Sequence, residues 1–219
     1  MYICFRIHFH TKKLMTATST IKEDAIQDQI LQAAKRLFQV HGLYKVTMDD
    51  VAKAIGKGRS SLYYYYKSKD EIFDAVMDVE IRELVAAIAA AVNQVQTVEQ
   101  KIKAFCIAKL NVLRERRGFY NMLDVGMDAD AMSNFNKTKV VHHGLIMQQE
   151  GAVLRQILDY GIERGELKAV DERDKKELVF VLLSGVHGIK REMIIDNNFD
   201  GVESVVNTFT RVIMNGIKK

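Results

Sequence analysis

The chain has 219 residues, a net charge of +4 and no proline, with 48% hydrophobic and 27% charged residues. This composition excludes a disordered chain, and its two cysteines, Cys4 and Cys106, are too few for a disulfide framework. No apolar run reaches the roughly 20 residues that a helix needs to span a membrane. With so few cysteines, we expect a reduced, cytoplasmic protein. Because no proline interrupts its helices, we also expect it to be all-α.

The first 20 residues are predicted to form a tail outside the fold. The stretch MYICFRIHFHTKKL alternates apolar and basic residues, and it lacks the continuous apolar core and small-residue cleavage site of a signal peptide. From Met15 the chain reads MTATSTIKED, a polar sequence typical of an ordinary N-terminus. Both Met1 and Met15 therefore stay open as translation starts.

Apolar residues at helical spacing predict a first helix that ends at a glycine. Ile26 and Leu37 lie on one stripe, and Gly42 can adopt the left-handed conformation of a helix C-cap. The sequence from residue 47 to 50, TMDD, resembles a capping box and predicts the start of a short second helix. Gly56 is expected to end that helix.

A third short helix is predicted around residues 59–66, directly after the glycine turn. Ser68 is expected to cap a long fourth helix from about Lys69 to Gln94. Two short helices around a tight glycine turn form a helix-turn-helix pattern, whose second helix has the size to enter a DNA major groove. Residues 1–70 contain 12 Lys and Arg against 6 Asp and Glu, which favours a polyanion-binding end.

Helices are predicted near residues 98–117, 139–164, 172–195 and 201–217, and the segment 118–138 is expected to be a broken helix or loop. The last two helices have apolar residues on two faces, so one face could pack on the domain and the other on a second subunit. This predicts a two-fold four-helix bundle, and a buried helix pair in a monomer is the alternative. The predicted interface residues are Leu182, Val186, Ile189, Val205, Phe209 and Ile213.

The segments ILQAAKRLFQVHG and VTMDDVAKAIGKGRSSLYYYYKSKDEIF closely resemble the N-terminal DNA-binding domain of the TetR family of bacterial transcriptional repressors. The resemblance covers roughly fifty residues, and the Leu-Tyr pair followed by an aromatic residue and KSKDE is its most specific part. It implies an all-helical homodimer with a helix-turn-helix domain at 21–68 and an effector-binding and dimerisation domain at 69–219. A small effector would release this repressor from a palindromic operator.

The resemblance also assigns candidate DNA contacts, and helical spacing adds one more. The family positions map to Thr47, Met48, Arg59, Ser60, Ser61, Tyr63, Tyr65 and Lys69. Spacing along the third helix turns Leu62 and Tyr66 inward, which leaves Tyr63 and Tyr64 toward the groove walls and Tyr65 near the rim. Arg59 is predicted to read a guanine, and Lys69 to bind a phosphate.

This sequence departs from the family pattern at three places. The usual small apolar-Ser pair after the turn glycine is Lys57-Gly58, so the third helix lacks a side-chain cap. Leu43 replaces an aromatic residue, and Tyr65 replaces a common histidine. These departures bear on base preference rather than on the fold.

An effector pocket is expected among the middle helices, because such sites are concave and mostly apolar. The ten methionines of the chain suit a deformable pocket for a hydrophobic compound. Ordinary core packing is the alternative for each candidate residue. The candidates are Phe105, Cys106, Leu110, Tyr120, Met122, His143, Met147 and Tyr160.

The sequence contains no catalytic constellation, so we expect no enzyme, no cofactor and no metal. The segment GKGRSS follows a helix and has the spacing of neither a phosphate loop nor a dinucleotide fingerprint. His142 and His143 diverge on a helix, and His187 is typical of a hydrogen-bonded core histidine. A DNA-coating protein without sequence preference and an all-helical enzyme are the two alternative functions.

Overall fold

The computed structural model describes the backbone of residues 17–219 and the side chains from residue 23 onward. Within this range the chain forms eight α-helices and no β-strand, which confirms the predicted all-α fold. The helices are α1 (Ala17–His41), α2 (Met48–Ala54), α3 (Arg59–Tyr65), α4 (Lys69–Asn93), α5 (Val98–Met122), α6 (Ala129–Glu163), α7 (Glu172–Ile195) and α8 (Val202–Ile217).

Most of the predicted tail, including the possible start at Met15, lies outside the described residues. Residues 17–20 are described, and they form the first turn of α1. None of the helices from residue 17 onward is long and apolar enough to cross a membrane.

Side-chain caps fix where several helices begin. The side chains of Ser68, Thr97, Asp128 and Asp171 each accept a hydrogen bond from a backbone N–H in the first turn of the helix that follows. Such caps satisfy N–H groups that have no partner within the helix. At the other end of α1, Gly42 has a φ of 79°, the left-handed conformation that its sequence position predicted.

The segment 118–138 is more regular than predicted. Helix α5 continues to Met122 and α6 begins at Ala129, so only six residues separate the two helices. Phe119 and Phe135 are buried on either side of this turn, and their packing keeps both flanks helical. The expected broken helix is therefore a short turn.

Buried apolar side chains form two separate cores. The N-terminal core joins α1, α2 and α3 with the first two turns of α4. It also includes Phe119 of α5, Leu123 of the turn that follows, and Phe135 of α6. The C-terminal core joins the rest of α4 with α5, α6, α7 and α8. The N-terminal core thus extends past residue 68, the predicted domain boundary, because the ends of α5 and α6 complete it.

A buried carboxylate links three helices between the two cores. Glu80 of α4 is almost fully buried, and its carboxylate pairs with Lys35 of α1 and with Arg116 of α5. Arg116 also binds Glu83 of α4 at 2.8 Å. These ion pairs hold α1, and with it the helix-turn-helix, against the long helices of the remaining chain.

Candidate DNA-binding surface and effector-binding region

The helix-turn-helix begins with the predicted capping box. The Thr47 hydroxyl accepts a hydrogen bond from the backbone N–H of Asp50 at 3.2 Å, and the Asp50 carboxylate accepts one from the backbone N–H of Thr47 at 2.9 Å. Helix α2 ends before Gly56, whose φ of 65° reverses the chain. Helix α3 then starts at Arg59 without a side-chain cap on Gly58, as predicted.

Helix α3 buries one residue and exposes most of the others. Leu62 is completely buried in the N-terminal core, while five of the predicted DNA contacts are exposed. These exposed residues are Arg59, Ser60, Ser61, Tyr63 and Tyr64. A seven-residue helix that is fixed by one leucine therefore presents a polar and aromatic surface to the solvent.

Arg59 is held in place by two neighbours. Its Nε lies 3.3 Å from an Asp49 carboxylate oxygen, and its Nη2 donates a hydrogen bond of 3.0 Å to the Tyr63 hydroxyl. The guanidinium also lies 5.4 Å from the centre of the Tyr63 ring. All three groups are exposed, so Arg59 can exchange these partners for a base at little cost in free energy.

The four consecutive tyrosines have different environments. Tyr64 is 71% exposed, and its hydroxyl donates to Glu23 of α1 at 3.0 Å. Tyr65 and Tyr66 are half-buried against the N-terminal core. Burial raises the pKa of Tyr66. The tyrosine run therefore both anchors α3 and supplies two exposed hydroxyls, those of Tyr63 and Tyr64.

Two of the predicted DNA contacts have internal roles in this structure. Met48 is buried in the N-terminal core. The Lys69 ammonium donates to the carbonyl oxygens of Leu43 at 2.8 Å and Tyr44 at 3.0 Å, so it ties α4 to the loop after α1. Burial lowers the pKa of Lys69. Its place at the start of a helix suggested a phosphate contact. The sequence does not show its actual partners, because the two carbonyl groups come close to Lys69 only when the chain folds.

The predicted effector residues do not meet in a single cavity. Tyr120 packs against the N-terminal core, while Phe105, Cys106 and Leu110 are completely buried in the C-terminal core. Tyr160 donates a hydrogen bond to the Gln96 carbonyl at 2.8 Å and lines a separate cleft of about 220 Å³. The three remaining candidates are the half-buried Met122 and Met147 and the exposed His143.

A buried polar cluster lies inside the C-terminal core. Lys109 of α5 and Glu150 of α6 form a fully buried ion pair, and the Lys109 Nζ lies 2.6 Å from the His187 Nε2 of α7. The His187 Nε2 also lies 3.2 Å from the Glu150 Oε2, so the three side chains meet at one point. His143 packs its ring edge against His187, with ring centres 5.3 Å apart.

Sequence reasoning identified His187 as a hydrogen-bonded core histidine but missed its two charged partners. Glu150 stands three residues after Met147 and four before Leu154, on the apolar stripe of α6. A charged residue on such a stripe is the signal that could have identified it. Among the residues that the structure describes, no three His, Cys, Asp or Glu side chains are grouped as a metal site would require.

Burial and neighbouring charges shift the pKa values of this cluster. Burial lowers the pKa of Lys109 to about 8, against the pull of Glu150 in the opposite direction. Burial also lowers the pKa of His187, so that its ring is neutral at pH 7. For Glu150, burial would raise the pKa, but the contacts with His187 and Lys109 outweigh it and lower that pKa. Shifted pKa values of buried groups are typical of functional sites.

We expect the stability of the protein to fall in acid because of this cluster. The folded-state pKa of His187 lies below its ordinary 6.5 and that of Glu150 below its ordinary 4.5, so the unfolded chain binds protons more readily. The His187 contribution is complete above pH 6.5 and is lost as the pH falls toward the folded pKa. Urea unfolding at pH 7.5 and pH 5 should show this loss, and His187→Gln should reduce it. An equally steep pH dependence in His187→Gln would contradict the assignment.

The two last helices expose an apolar face next to the predicted dimer residues. Leu182 and Val186 are buried within the same chain, and Phe209 packs against Gly185 of α7, so these three side chains stabilise the single chain. Ile189 and Ile213 are also partly buried against the C-terminal core. The exposed apolar residues of this face are Phe180, Val181, Val205 and Val212.

Comparison with known proteins agrees with the helix-turn-helix geometry. Residues 30–76 match the sequence model of bacterial regulatory proteins of the tetR family. The chain is 30% identical over 115 residues to YvaF, an uncharacterized HTH-type transcriptional regulator of Bacillus subtilis, with 52% of this chain and 53% of YvaF covered. The chain thus spans about half the length of that relative.

Two further similarities extend over most of the chain. It is 20% identical to the fatty acid metabolism regulator protein of Bacillus subtilis, with 86% of this chain and 94% of that protein covered. The fold resembles that of a TetR transcription regulator from Haloarcula marismortui, with a TM-score of 0.67, 17% identity, and 90% and 100% of the two chains covered. The helix-turn-helix region, residues 30–76, thus belongs to the tetR family of bacterial regulatory proteins, and the whole chain shares the fold of a TetR transcription regulator.

Proposed function

We propose that this protein is a transcriptional repressor that binds a palindromic operator as a homodimer and leaves it when a small, mostly apolar effector binds. The observation that carries the proposal is the exposed surface of α3, where Arg59, Ser60, Ser61 and Tyr63 follow a capped α2 and a left-handed glycine. Residues 45–69 contain six Lys and Arg against two Asp, which suits a polyanionic partner.

In this proposal, Arg59 reads a base and the tyrosines position α3 on the duplex. A guanidinium can bind the two acceptors of guanine in the major groove, and Arg59 is long, exposed and held only by exposed partners. The Tyr63 and Tyr64 hydroxyls are neutral donors that can reach phosphate oxygens. Lys69 acts indirectly, by fixing the loop after α1 through the Leu43 and Tyr44 carbonyls.

The dimer that we propose pairs the exposed faces of α7 and α8 about a two-fold axis. Phe180, Val181, Val205 and Val212 supply apolar area. Apart from its chain neighbours and the α7 backbone, no described atom lies within 4 Å of a Cβ placed on Gly188. A partner helix could therefore approach α7 closely at Gly188. The resulting four-helix bundle would place two α3 helices in successive major grooves, with half-sites about one helical turn apart.

We assign effector binding to the helices from α4 onward, the range 69–219. The C-terminal core contains the polar cluster of Lys109, Glu150 and His187, whereas its other fully buried side chains are mainly apolar. An apolar site with a few polar groups is the usual form of a small-molecule site. The similarity to a Bacillus regulator of fatty acid metabolism fits an effector with an apolar chain.

We expect Arg59→Ala to weaken operator binding about 10- to 100-fold and to relax the preference for one base in each half-site, because a bidentate base contact is worth about 1–3 kcal/mol. The operator would first be selected from a randomised duplex library. Fluorescence titrations would then compare the selected duplex with single-base variants.

Arg173→Ala is the matched control, since Arg173 is an exposed arginine of α7 far from α3 in the sequence. It should leave operator binding unchanged. If Arg59→Ala kept its full base preference, the base-reading residue would have to be Ser60, Ser61 or Tyr64 instead. Equal affinity of the wild type for the selected and the scrambled duplex would instead favour a DNA-coating protein.

A further inference from the structure

We propose that Glu150 is the polar anchor of the effector site and that the effector presents a neutral hydroxyl group to its free carboxylate oxygen. This inference rests on the proposed effector function of the C-terminal helices and names the chemical class of the ligand. It derives from the hydrogen bonds that the buried cluster forms and from the one that it lacks.

The first observation is an unsatisfied acceptor. The Glu150 Oε2 binds Lys109 and lies 3.2 Å from the His187 Nε2, but the Glu150 Oε1 is buried without any hydrogen-bond partner among the described residues. A buried carboxylate oxygen without a donor costs more free energy than most lost hydrogen bonds. The cluster is therefore incomplete by one hydrogen-bond donor.

The surrounding charges determine what kind of donor fits. Lys109 and Lys190 are both close enough to Glu150 to interact with its charge, and Lys190 also lowers the pKa of Lys109 and of His187. A cationic ligand would be repelled by these two lysines. An anionic ligand would face the free oxygen of a carboxylate. A neutral hydroxyl avoids both conflicts, because it donates to the Oε1 and can accept from a lysine.

The stripe of α6 that carries Glu150 extends to the surface of the protein. On α6 the stripe that includes Leu154, Glu150 and Met147 continues at helical spacing to His143 and Val140, and both of these are exposed. Apart from its chain neighbours and the α6 backbone, a Cβ placed on the neighbouring Gly144 would meet no described atom within 4 Å. In this proposal, an aliphatic chain lies along the uncovered part of the stripe and its terminal hydroxyl reaches Glu150.

The test compares two isomers that differ only in the donor. Octan-1-ol and heptyl methyl ether have the same atoms, but only the alcohol has an O–H group. Isothermal titration of the full-length protein should show octan-1-ol binding at least about tenfold more tightly than the ether, because a donor to a charged acceptor is lost. Octanoate and octylammonium should also bind more weakly than the alcohol.

The variant Glu150→Gln should lose the preference for the alcohol. Its amide oxygen can accept from Lys109, and its amide N–H would then point where the Oε1 was, so both isomers can accept a hydrogen bond from it. Glu163→Gln, at an exposed position of the same helix, should keep the preference. Circular dichroism checks that each variant folds. If Glu150→Gln does not fold, the relative affinity of the wild type for the alcohol and the ether tests the proposal by itself.

Equal binding of the two isomers to the wild type would overturn the proposal, as would an unchanged preference in Glu150→Gln. Absence of binding by all four probes would overturn it too, and would indicate that only water satisfies the Oε1. Operator binding measured without any probe is a separate result. Its failure would refute the repressor function and leave the hydroxyl preference as an independent finding.

Discussion

Lys109→Met is expected to lower the free energy of unfolding by about 3–5 kcal/mol, because it leaves the completely buried Glu150 carboxylate without its counter-ion. The methionine fills a similar volume, so the loss reports the charge rather than a cavity. Burial of an unpaired charge is among the few mechanisms that produce effects of this size. Urea unfolding at pH 7.5, followed by circular dichroism, would measure it.

Removal of both charges separates the ion pair from the packing around it. Lys109→Met combined with Glu150→Leu should recover most of the stability, since apolar replacement of a whole buried pair is often neutral or stabilising. Lys176→Met, at an exposed position of α7, should change the free energy of unfolding by less than about 0.5 kcal/mol. If Lys109→Met were as stable as this control, the buried ion pair would not exist as described.

Val181→Glu is expected to convert the proposed dimer to monomers and to weaken operator binding by at least about 100-fold. The Val181 side chain is on the proposed dimer face and 60% exposed in the single chain, so a carboxylate there is solvated in the monomer but desolvated in the interface. A monomer binds one half-site and loses the gain of two linked contacts. Sedimentation equilibrium and operator titration would measure the two effects.

Val181 separates assembly from folding better than Phe209 does. Phe209 packs against Gly185 of its own chain, so a charge there would disturb the fold as well as any interface. Val141→Glu is the matched control, because Val141 is 64% exposed on α6, away from the proposed face. A Val181→Glu variant that remained dimeric would place the interface on another surface.

Local sequence signals determined the helix-turn-helix and the places where helices begin. The Thr47 capping box, the Gly42 C-cap and the uncapped start of α3 depend on residues within one or two turns of each other. Their geometry follows from short-range hydrogen bonding and steric constraints on the backbone. The inward position of Leu62 followed from helical spacing in the same way.

Contacts between residues far apart in the chain were decided only by the tertiary structure. The sequence shows Lys69 as a basic residue at a helix start. Only the path of the loop after α1 brings the Leu43 and Tyr44 carbonyls within reach of its ammonium group. The ion pair of Lys109 and Glu150 joins two helices whose register no local signal specifies. Helical spacing identified the apolar faces of α7 and α8. It did not show which of these faces packs inside the same chain and which stays exposed.

The physical reason for this difference is how far apart in the sequence the interacting residues lie. Caps and helical stripes are set by the 3.6-residue period, which can be read along the sequence. The pairing of helices depends on how their side chains interlock across an interface, and many registers have similar apolar composition. Tertiary packing therefore decided that Leu182 and Val186 fill the C-terminal core, and that Phe180 and Val181 remain exposed.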